Sequence, residues 1–422
     1  MDHFLISTVI LLLLIVVLGY FNEKVTKFTH EIALMLFAVI IGGVIVILSM
    51  IFKGTESVLG MLNRFQFFNL ENFLIEGVLC FMLFAGSCHM RLPDFKKHAR
   101  AISLLAIVAT FLGAVFYGLL FFCASKLLGL SMTLPVCLMF GSIVAPTDPI
   151  AATSILKKFN LPSGISFIIE GESLLNDGMG VALFVFFSGM VTAQKSGGFF
   201  FVMAKELFGA IIVGIIITAV CFPIFSHTKD KTRQIFASLL AVSLSYVLCE
   251  IFDFSGAIAS VVCGVLFSTL SNHSAEKGKP LDLEQYDIFW SILDTLLNSI
   301  LYVMLGLSFV HILQMPYVLI LSLSAIVANL IGRSGSLGIT SLLIGPLPDG
   351  YDKISFIKLL TWGGLRGGLS VALAMSTQDM VDSNIYTIIL GGTYAIVFFT
   401  TIIQGMTMHR VYQRIKKGIE KR

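Results

Sequence analysis

The chain is a succession of long apolar runs separated by short polar joints. A helix needs about 20 mainly apolar residues to cross a bilayer. Thirteen segments meet that requirement, at approximately 4–21, 31–52, 72–90, 101–124, 132–155, 163–192, 199–226, 233–251, 255–271, 286–311, 316–343, 354–377 and 385–408. The third and the tenth carry more polar residues than the rest. The pattern predicts an all-α polytopic membrane protein, with a transmembrane domain over 1–408 and a short basic tail over 409–422. The first run, Phe4 to Phe21, reads as a retained span rather than a signal peptide. Only Asp2 and His3 precede it, no small-x-small cleavage site follows, and the lysines Lys24 and Lys27 lie behind it.

Composition agrees. Hydrophobic residues make up 57% of the chain and charged ones 13%, with a mean hydropathy of +0.94, against roughly 25% charge in soluble domains. The net charge of +3 is spread over short loops, which argues against a nucleic-acid partner. Seven cysteines are scattered through apolar runs without a CxxC pair, as small buried side chains would be.

Basic residues orient the spans. With the tail HRVYQRIKKGIEKR taken as cytoplasmic, thirteen spans place the N-terminus outside. The inner loops then hold Lys24 and Lys27; Arg91, Lys96, Lys97 and Arg100; Lys157 and Lys158; Lys229, Lys231 and Arg233; Lys277 and Lys279; and Lys353. The outer loops hold only Lys53, Arg64, Lys126 and Lys195. This obeys the positive-inside rule, which an even number of spans would partly invert.

Two spans are interrupted. The fifth contains AlaProThrAspProIle at 145–150, where Pro146 and Pro149 flank Asp148 and block a continuous helix. The twelfth contains GlyGlyLeuArgGlyGly at 363–368, four glycines around Arg366. Broken helices in corresponding places of two halves point to a transporter's binding site. These two lie seven spans apart, so approximately 4–192 and 233–408 are expected to form two six-helix repeats of opposite orientation. Glycine and proline are common in membrane helices anyway; the charge inside each break gives the pattern its meaning.

The sixth span carries Glu172, Ser173, Asn176 and Asp177 in its middle. An ionisable residue at bilayer depth costs at least ~2.5–3.5 kcal/mol on insertion scales, so its default reading is functional. Asp148 and Asp177 on adjacent spans, beside the oxygens of Thr147, Ser173 and Asn176, suit a small hard cation and a proton. At about 100° per residue, Ser173 and Asp177 share a face toward the fifth span, while Glu172 is turned about 140° from Asp177 and needs a partner elsewhere. Arg333, mid-span in segment eleven, is the expected structural partner, with Arg366 the alternative. All eight histidines fall at segment ends or in loops, which leaves a carboxylate, with Asp177 foremost, to carry the proton. Glu76, Glu206, Glu250 and Asp294 lie nearer an interface or can meet a neighbour such as Asn298.

Other classes fit less well. GlyArgSerGly at 332–335 matches the GxSG of rhomboid proteases, but His409 alone follows it, at a membrane edge. TyrAsp at 286–287 lacks the GxGD of intramembrane aspartyl proteases. Titratable carboxylates at broken helices favour alternating access over a passive pore.

With Thr147-Asp148-Pro149, Gly171-Glu172-Ser173-Leu174-Leu175-Asn176-Asp177 and Gly363-Gly364-Leu365-Arg366-Gly367 placed, the chain resembles the monovalent cation:proton antiporters, in the branch of bacterial NhaP proteins and animal sodium/proton exchangers. Residues 245–256 resemble that branch's eighth segment. The resemblance implies exchange of a monovalent cation, Na⁺ or Li⁺ before K⁺, for H⁺, with roles in sodium transport and pH homeostasis and no cofactor beyond the transported ions. It implies a cell-membrane homodimer in which one bundle moves against a scaffold. It implies Asp177 as the carboxylate shared by cation and proton, with Asp148, Thr147, Ser173 and Asn176 around it. The Asn176–Asp177 pair resembles the electroneutral members. One carboxylate exchanges +1 for +1, Asn176 cannot hold a second proton, and hydrogen bonds from Thr147 and freed backbone groups are expected to keep Asp148 charged. At 81–86 many relatives carry an acid where this chain has Ala85, and the long regulatory tail of animal members has no counterpart here.

Overall fold

The computed structural model describes residues 2–51, 73–148, 161–192, 198–278, 281–309 and 318–420. Pro149 and His311, with Lys53, Arg64, Lys157, Lys158, Lys195 and Lys279, lie outside the described residues. Among the described residues every regular element is helical: α1 (Asp2–Phe21), α2 (His30–Ile51), α3 (Leu79–Ser87), α4 (Leu92–Ser103), α5 (Thr110–Leu127), α6 (Leu134–Val144), α7 (Ser163–Val191), α8 (Phe199–His227), α9 (Lys231–Ile251), α10 (Gly256–Glu276), α11 (Glu284–Ser308), α12 (Val318–Leu343), α13 (Lys353–Gly363), α14 (Gly368–Met375), α15 (Ser383–Phe398) and α16 (Gly405–Glu420), with short π and 3₁₀ turns between some of them.

Ten of the described helices are long and apolar enough to cross a membrane. The third, fifth and twelfth predicted segments coincide instead with shorter helices: α3 behind a π turn at Phe73–Val78, α6, and the broken pair α13 and α14. Two helices stand where the hydrophobic pattern shows none. The basic joint after the third segment folds as α4, which runs through a π turn at Leu104–Ala109 into α5 as one helix of 36 residues. The basic tail likewise continues α15 through a π turn at Phe399–Gln404, and α16 carries helix past His409. Both are amphipathic: α16 buries Tyr412 and Ile415 while Arg410 and Arg414 stay exposed.

Polar contacts at the helix ends join regions that alternate crossing places on one side. The Leu92 amide donates to Thr269 Oγ1 at 2.8 Å, and Arg100 Nη2 donates to the Leu343 carbonyl at 3.0 Å. Lys231 Nζ lies 2.8 Å from Asp282 Oδ2. Lys205 and Asp253 pair at 3.4 Å at the opposite ends of their helices.

Apolar packing divides into two cores. The larger is built on α4 to α7 and α12 to α15, with Tyr117, Phe121 and Phe140 in mutual edge or stacked contact. The smaller joins α3, α8, α9 and α10 around Phe84, Phe267 and Trp290. Helix α11 belongs to both: Tyr286 and Trp290 serve the smaller core, Leu301 and Tyr302 the larger. It packs along α2.

Close approach of α5 and α6 depends on Gly141, where an added Cβ would run into the Ala114 carbonyl. Gly141→Ala should therefore force the helices apart and cost on the order of 1–3 kcal/mol, the range for overpacked sites. Gly338→Ala on α12, where the added carbon meets nothing within 4 Å, is the control. Thermal melts in detergent check this: the first variant should melt clearly below the parent and the second with it.

Candidate ion-binding site

The site begins with a helix that has to stop. Helix α6 runs inward from Pro135, which sits without cost in a first turn, and ends at Val144 because Pro146 has no N–H to return and its ring excludes the preceding turn. Residues 145–148 therefore leave the helix deep inside the molecule, where water cannot satisfy their peptide groups; Ala145 and Thr147 are buried. Such backbone is tolerated at membrane depth only where other protein groups bond to it.

Helix α7 supplies most of those bonds. Ser173 Oγ donates to the Thr147 carbonyl at 2.5 Å and lies 2.9 Å from Thr147 Oγ1. The Thr147 amide donates to Asn176 Oδ1 at 3.2 Å, and Asn176 Nδ2 donates to Thr147 Oγ1 at 2.6 Å. All three polar groups of Thr147 are thus held by two side chains of one neighbouring helix.

The second break supplies the rest. Between α13 and α14, Arg366 sends Nη1 to the carbonyls of Ala145 and Pro146, both at 2.9 Å, and Nη2 to Asn329 Oδ1 at 3.2 Å. Its own amide donates to Thr400 Oγ1 at 3.0 Å and its carbonyl accepts from Thr401 Oγ1 at 3.2 Å. A cation at the carbonyl end of α6 answers both the orphan acceptors and the negative helix end. The two breaks also bond directly, the Asp148 amide donating to the Leu365 carbonyl at 2.8 Å. They meet so closely that a Cβ on Gly367 would stand 2.5 Å from Asp148 Oδ2.

Glu172 and Arg333 are brought together, Arg333 Nη2 donating to Glu172 Oε1 at 3.0 Å with both side chains buried. Asn176 Nδ2 adds a second bond to the same oxygen at 3.1 Å. Arg366, the alternative partner for Glu172, is engaged by peptide carbonyls and Asn329 instead.

Asp148 and Asp177 line one cavity of about 50 Å³, room for roughly three water-sized occupants. Its polar edge is Pro146, Thr147, Asp148, Asp177 and the chain from Gly367 to Ser370; its apolar wall is Leu79, Met82, Leu83, Leu174 and Leu301. Asp148 Oδ2 accepts a 2.5 Å hydrogen bond from the hydroxyl of Tyr302 on α11. The Thr147 hydroxyl, expected to serve Asp148, is engaged by Ser173 and Asn176. Among the described residues no group of three or more His, Cys, Asp or Glu side chains converges on a metal-sized site. Of the outlying acids, Asp294 Oδ1 accepts from Asn298 Nδ2 at 2.9 Å, and Glu250 and Asp253 are exposed near Glu206.

Asn329, Thr400, Thr401 and Tyr302 escaped the sequence reading. Asn329 lies one turn before Arg333 on α12, a spacing that marks a shared face. Tyr302 sits in the apolar run SILYVML and gives no such signal.

Removing one member of the Glu172–Arg333 pair strands a buried charge, which costs about 3–5 kcal/mol. Glu172→Gln and Arg333→Gln should each lower the melting temperature in detergent, and the double variant should lose less than the sum of the two. Single variants that melt with the parent would show that the pair does not hold α7 to α12.

Comparison with known proteins follows the same lines. The model of the family described as sodium/hydrogen exchanger, transmembrane, matches residues 67–414. The chain is 29% identical over 346 residues to the Na⁺/H⁺ antiporter NhaP of Pseudomonas aeruginosa, covering 80% of each protein. It is 30% identical over 340 residues to NhaH of Halobacillus aidingensis, covering 78% of this chain and 80% of that one. The Na⁺/H⁺ exchanger beta of Oncorhynchus mykiss is 26% identical over 74% of this chain and 42% of its own. The structure of the sodium proton antiporter MjNhaP1 from Methanocaldococcus jannaschii at pH 8 superposes with a TM-score of 0.74 over 98% of this chain and 99% of that one; at 18% identity it shows a common fold. By a family match that spans both breaks, α7 and the paired arginine, the chain belongs to the sodium/hydrogen exchangers.

Proposed function

We propose that Asp177 is the carboxylate that binds a monovalent cation and a proton in turn, with Asp148 as the second anionic ligand. The chain then exchanges Na⁺ or Li⁺ for H⁺, with K⁺ as the alternative ion. Thr147, Ser173 and Asn176 frame the site and offer oxygens to an ion seated against them. The proposal assigns Glu172, Arg333 and Arg366 to holding the frame. Two relatives named Na⁺/H⁺ antiporters cover about four-fifths of the chain, which favours sodium.

The observation that carries this reading is the charge inventory around the cavity. At full ionisation Asp148, Asp177 and Glu172 contribute three negative charges and Arg333 and Arg366 two positive ones; Glu172, Arg333 and Arg366 are hydrogen-bonded into the frame around the break, and Asp177 lines the cavity with Asp148. One positive charge is missing, and a proton or a monovalent cation supplies it equally well. A divalent ion overshoots. The site is thus neutral in either loaded state, which supports electroneutral exchange by alternating access.

The basic residues support an N-terminus outside the cell membrane and a cytoplasmic α16. The homodimer is carried over from the family resemblance alone.

Asp177→Asn should abolish sodium-dependent dissipation of a pH gradient in everted vesicles while leaving the protein folded; exchange that survives in this variant sinks the assignment. A potassium–valinomycin potential imposed on proteoliposomes should leave the exchange rate of the parent unchanged. A rate that follows the sign of the potential would overturn the one-carboxylate mechanism.

A further inference from the structure

Among the described residues, four side chains that carry oxygen line the cavity between the two breaks: Thr147, Asp148, Asp177 and Ser370. Asp148 and Asp177 supply carboxylates. The Thr147 hydroxyl is taken by Ser173 and Asn176. Ser370 differs from all three: its side chain is buried, and among the described residues no group hydrogen-bonds to its Oγ. Several other buried serines return their hydroxyl to a carbonyl one turn back, as Ser142 does to Met139 at 2.6 Å and Ser245 to Val242 at 2.9 Å. The carbonyl four residues before Ser370, that of Arg366, accepts from Thr401 instead.

The backbone puts this hydroxyl where it can be used. Helix α14 opens at Gly368, and Ser370 lies three residues beyond Gly367, so the two share a side of the first turn. Gly367 is the residue whose Cβ would stand 2.5 Å from Asp148 Oδ2. Helix α14 packs on α6, α7 and α11, and the last two bring Asp177 and Leu301 to the cavity. Its N-terminal end carries the partial positive charge of the helix, which suits two carboxylates and leaves a cation without a counterpart on this wall. Within the stretch that forms the wall, Gly367 to Ser370, only Ser370 has a side-chain oxygen. A buried hydroxyl without a partner costs free energy, and the occupant of the cavity is the partner within reach.

We propose that Ser370 is a further ligand of the transported cation, its neutral hydroxyl oxygen joining the carboxylates of Asp148 and Asp177. The inference rests on the reading of this cavity as the cation site. Hard cations take oxygen ligands, and a neutral oxygen adds coordination while leaving the balance of charge as it is. Serine places its oxygen by rotation about a single bond, so the ligand turns to the ion without movement of the backbone.

Ser370→Ala removes only the hydroxyl and leaves a good helix former. Without sodium it should melt with the parent or slightly above it, since a buried polar group that lacks a protein partner adds no net stability. It should need about ten times more sodium than the parent for the same rise in melting temperature, the scale of one lost interaction with a charged group. The apparent KM for sodium should rise by the same factor, with the rate at saturating sodium near the parent's. Ser370→Cys, close to serine in shape but with a soft sulfur, should behave like the alanine variant.

The measurements are sodium titrations of the melting temperature in detergent, with choline chloride holding the ionic strength constant, and of sodium-driven proton movement in proteoliposomes at one fixed pH. Parental sodium dependence in either Ser370 variant overturns the inference. So does an unchanged KM with a lowered maximal rate. An alanine variant that melts below the parent without sodium overturns it too, because the hydroxyl would then be holding the fold. Asp177→Asn in the same series separates the two failures. A parent that sodium does not stabilise, or an Asp177→Asn variant that sodium stabilises as well, sinks the reading of the cavity and this inference with it. A responsive parent, an unresponsive Asp177→Asn and Ser370 variants that match the parent sink this inference alone.

Discussion

Unpaired peptide groups cannot be left in a membrane interior, and the break after Val144 creates several at once. Each amide or carbonyl without a partner in an apolar medium costs several kcal/mol. Pro146 ends the helix, and from then on the position of every neighbour is prescribed. Ser173 and Asn176 come to Thr147, Arg366 comes to the carbonyls of Ala145 and Pro146, and Leu365 receives the Asp148 amide. Those bonds draw together two consecutive spans, the fifth and α7, and the second break, which lies far along the chain. Gly367 allows the last of these approaches, since a side chain there would displace the Asp148 carboxylate.

This ordering changes what the polar residues of α7 are for. Ser173 and Asn176 read naturally as ion ligands, being oxygen-bearing and beside an aspartate. Their hydrogen bonds run to Thr147 and Glu172. In this arrangement they hold the backbone conformation in which Asp148 lines the same cavity as Asp177. On the proposed reading, an ion entering the cavity meets the two carboxylates, and reaches the hydroxyl and amide oxygens only as additions to groups already in use. Asp177 and the α7 residues of the frame are therefore neighbours on one helix: positions 172 and 176 form one stripe, and 173 and 177 the next.

Much of this was legible in the chain because membrane burial makes polar residues conspicuous. The two breaks announce themselves by proline and glycine around a charge, and the partner of Glu172 follows from its angle on a helix together with the placement of Arg333 in a span. Groups that work through the backbone were not legible. Arg366 answers carbonyls, which carry no sequence, and its partners Thr400 and Thr401 are ordinary in an apolar helix. Tyr302 meets Asp148 through one oxygen atom and sits within an apolar run, where any aromatic residue looks like core. Helices α4 and α16 were missed for the opposite reason. Their apolar faces are narrow, so a count of consecutive apolar residues reads them as loops, whereas Tyr412 and Ile415 recur at the spacing of one helical turn.

Coupling follows from the same electrostatics on the proposed exchange reading. The assembly of three carboxylates and two guanidinium groups carries one uncompensated negative charge when the cavity is empty. Transfer of such a charge through a region of low dielectric costs several kcal/mol even after relaxation. With a proton or a sodium ion bound, the charge is gone and that barrier with it. An empty site is then held where it is, while a loaded one is free to change sides, so each ion crosses only in exchange for the other. The buried Glu172–Arg333 pair adds little net stability on this account. Its contribution is to keep two opposite charges fixed and cancelled, so that the charge state of the site depends on one occupant alone.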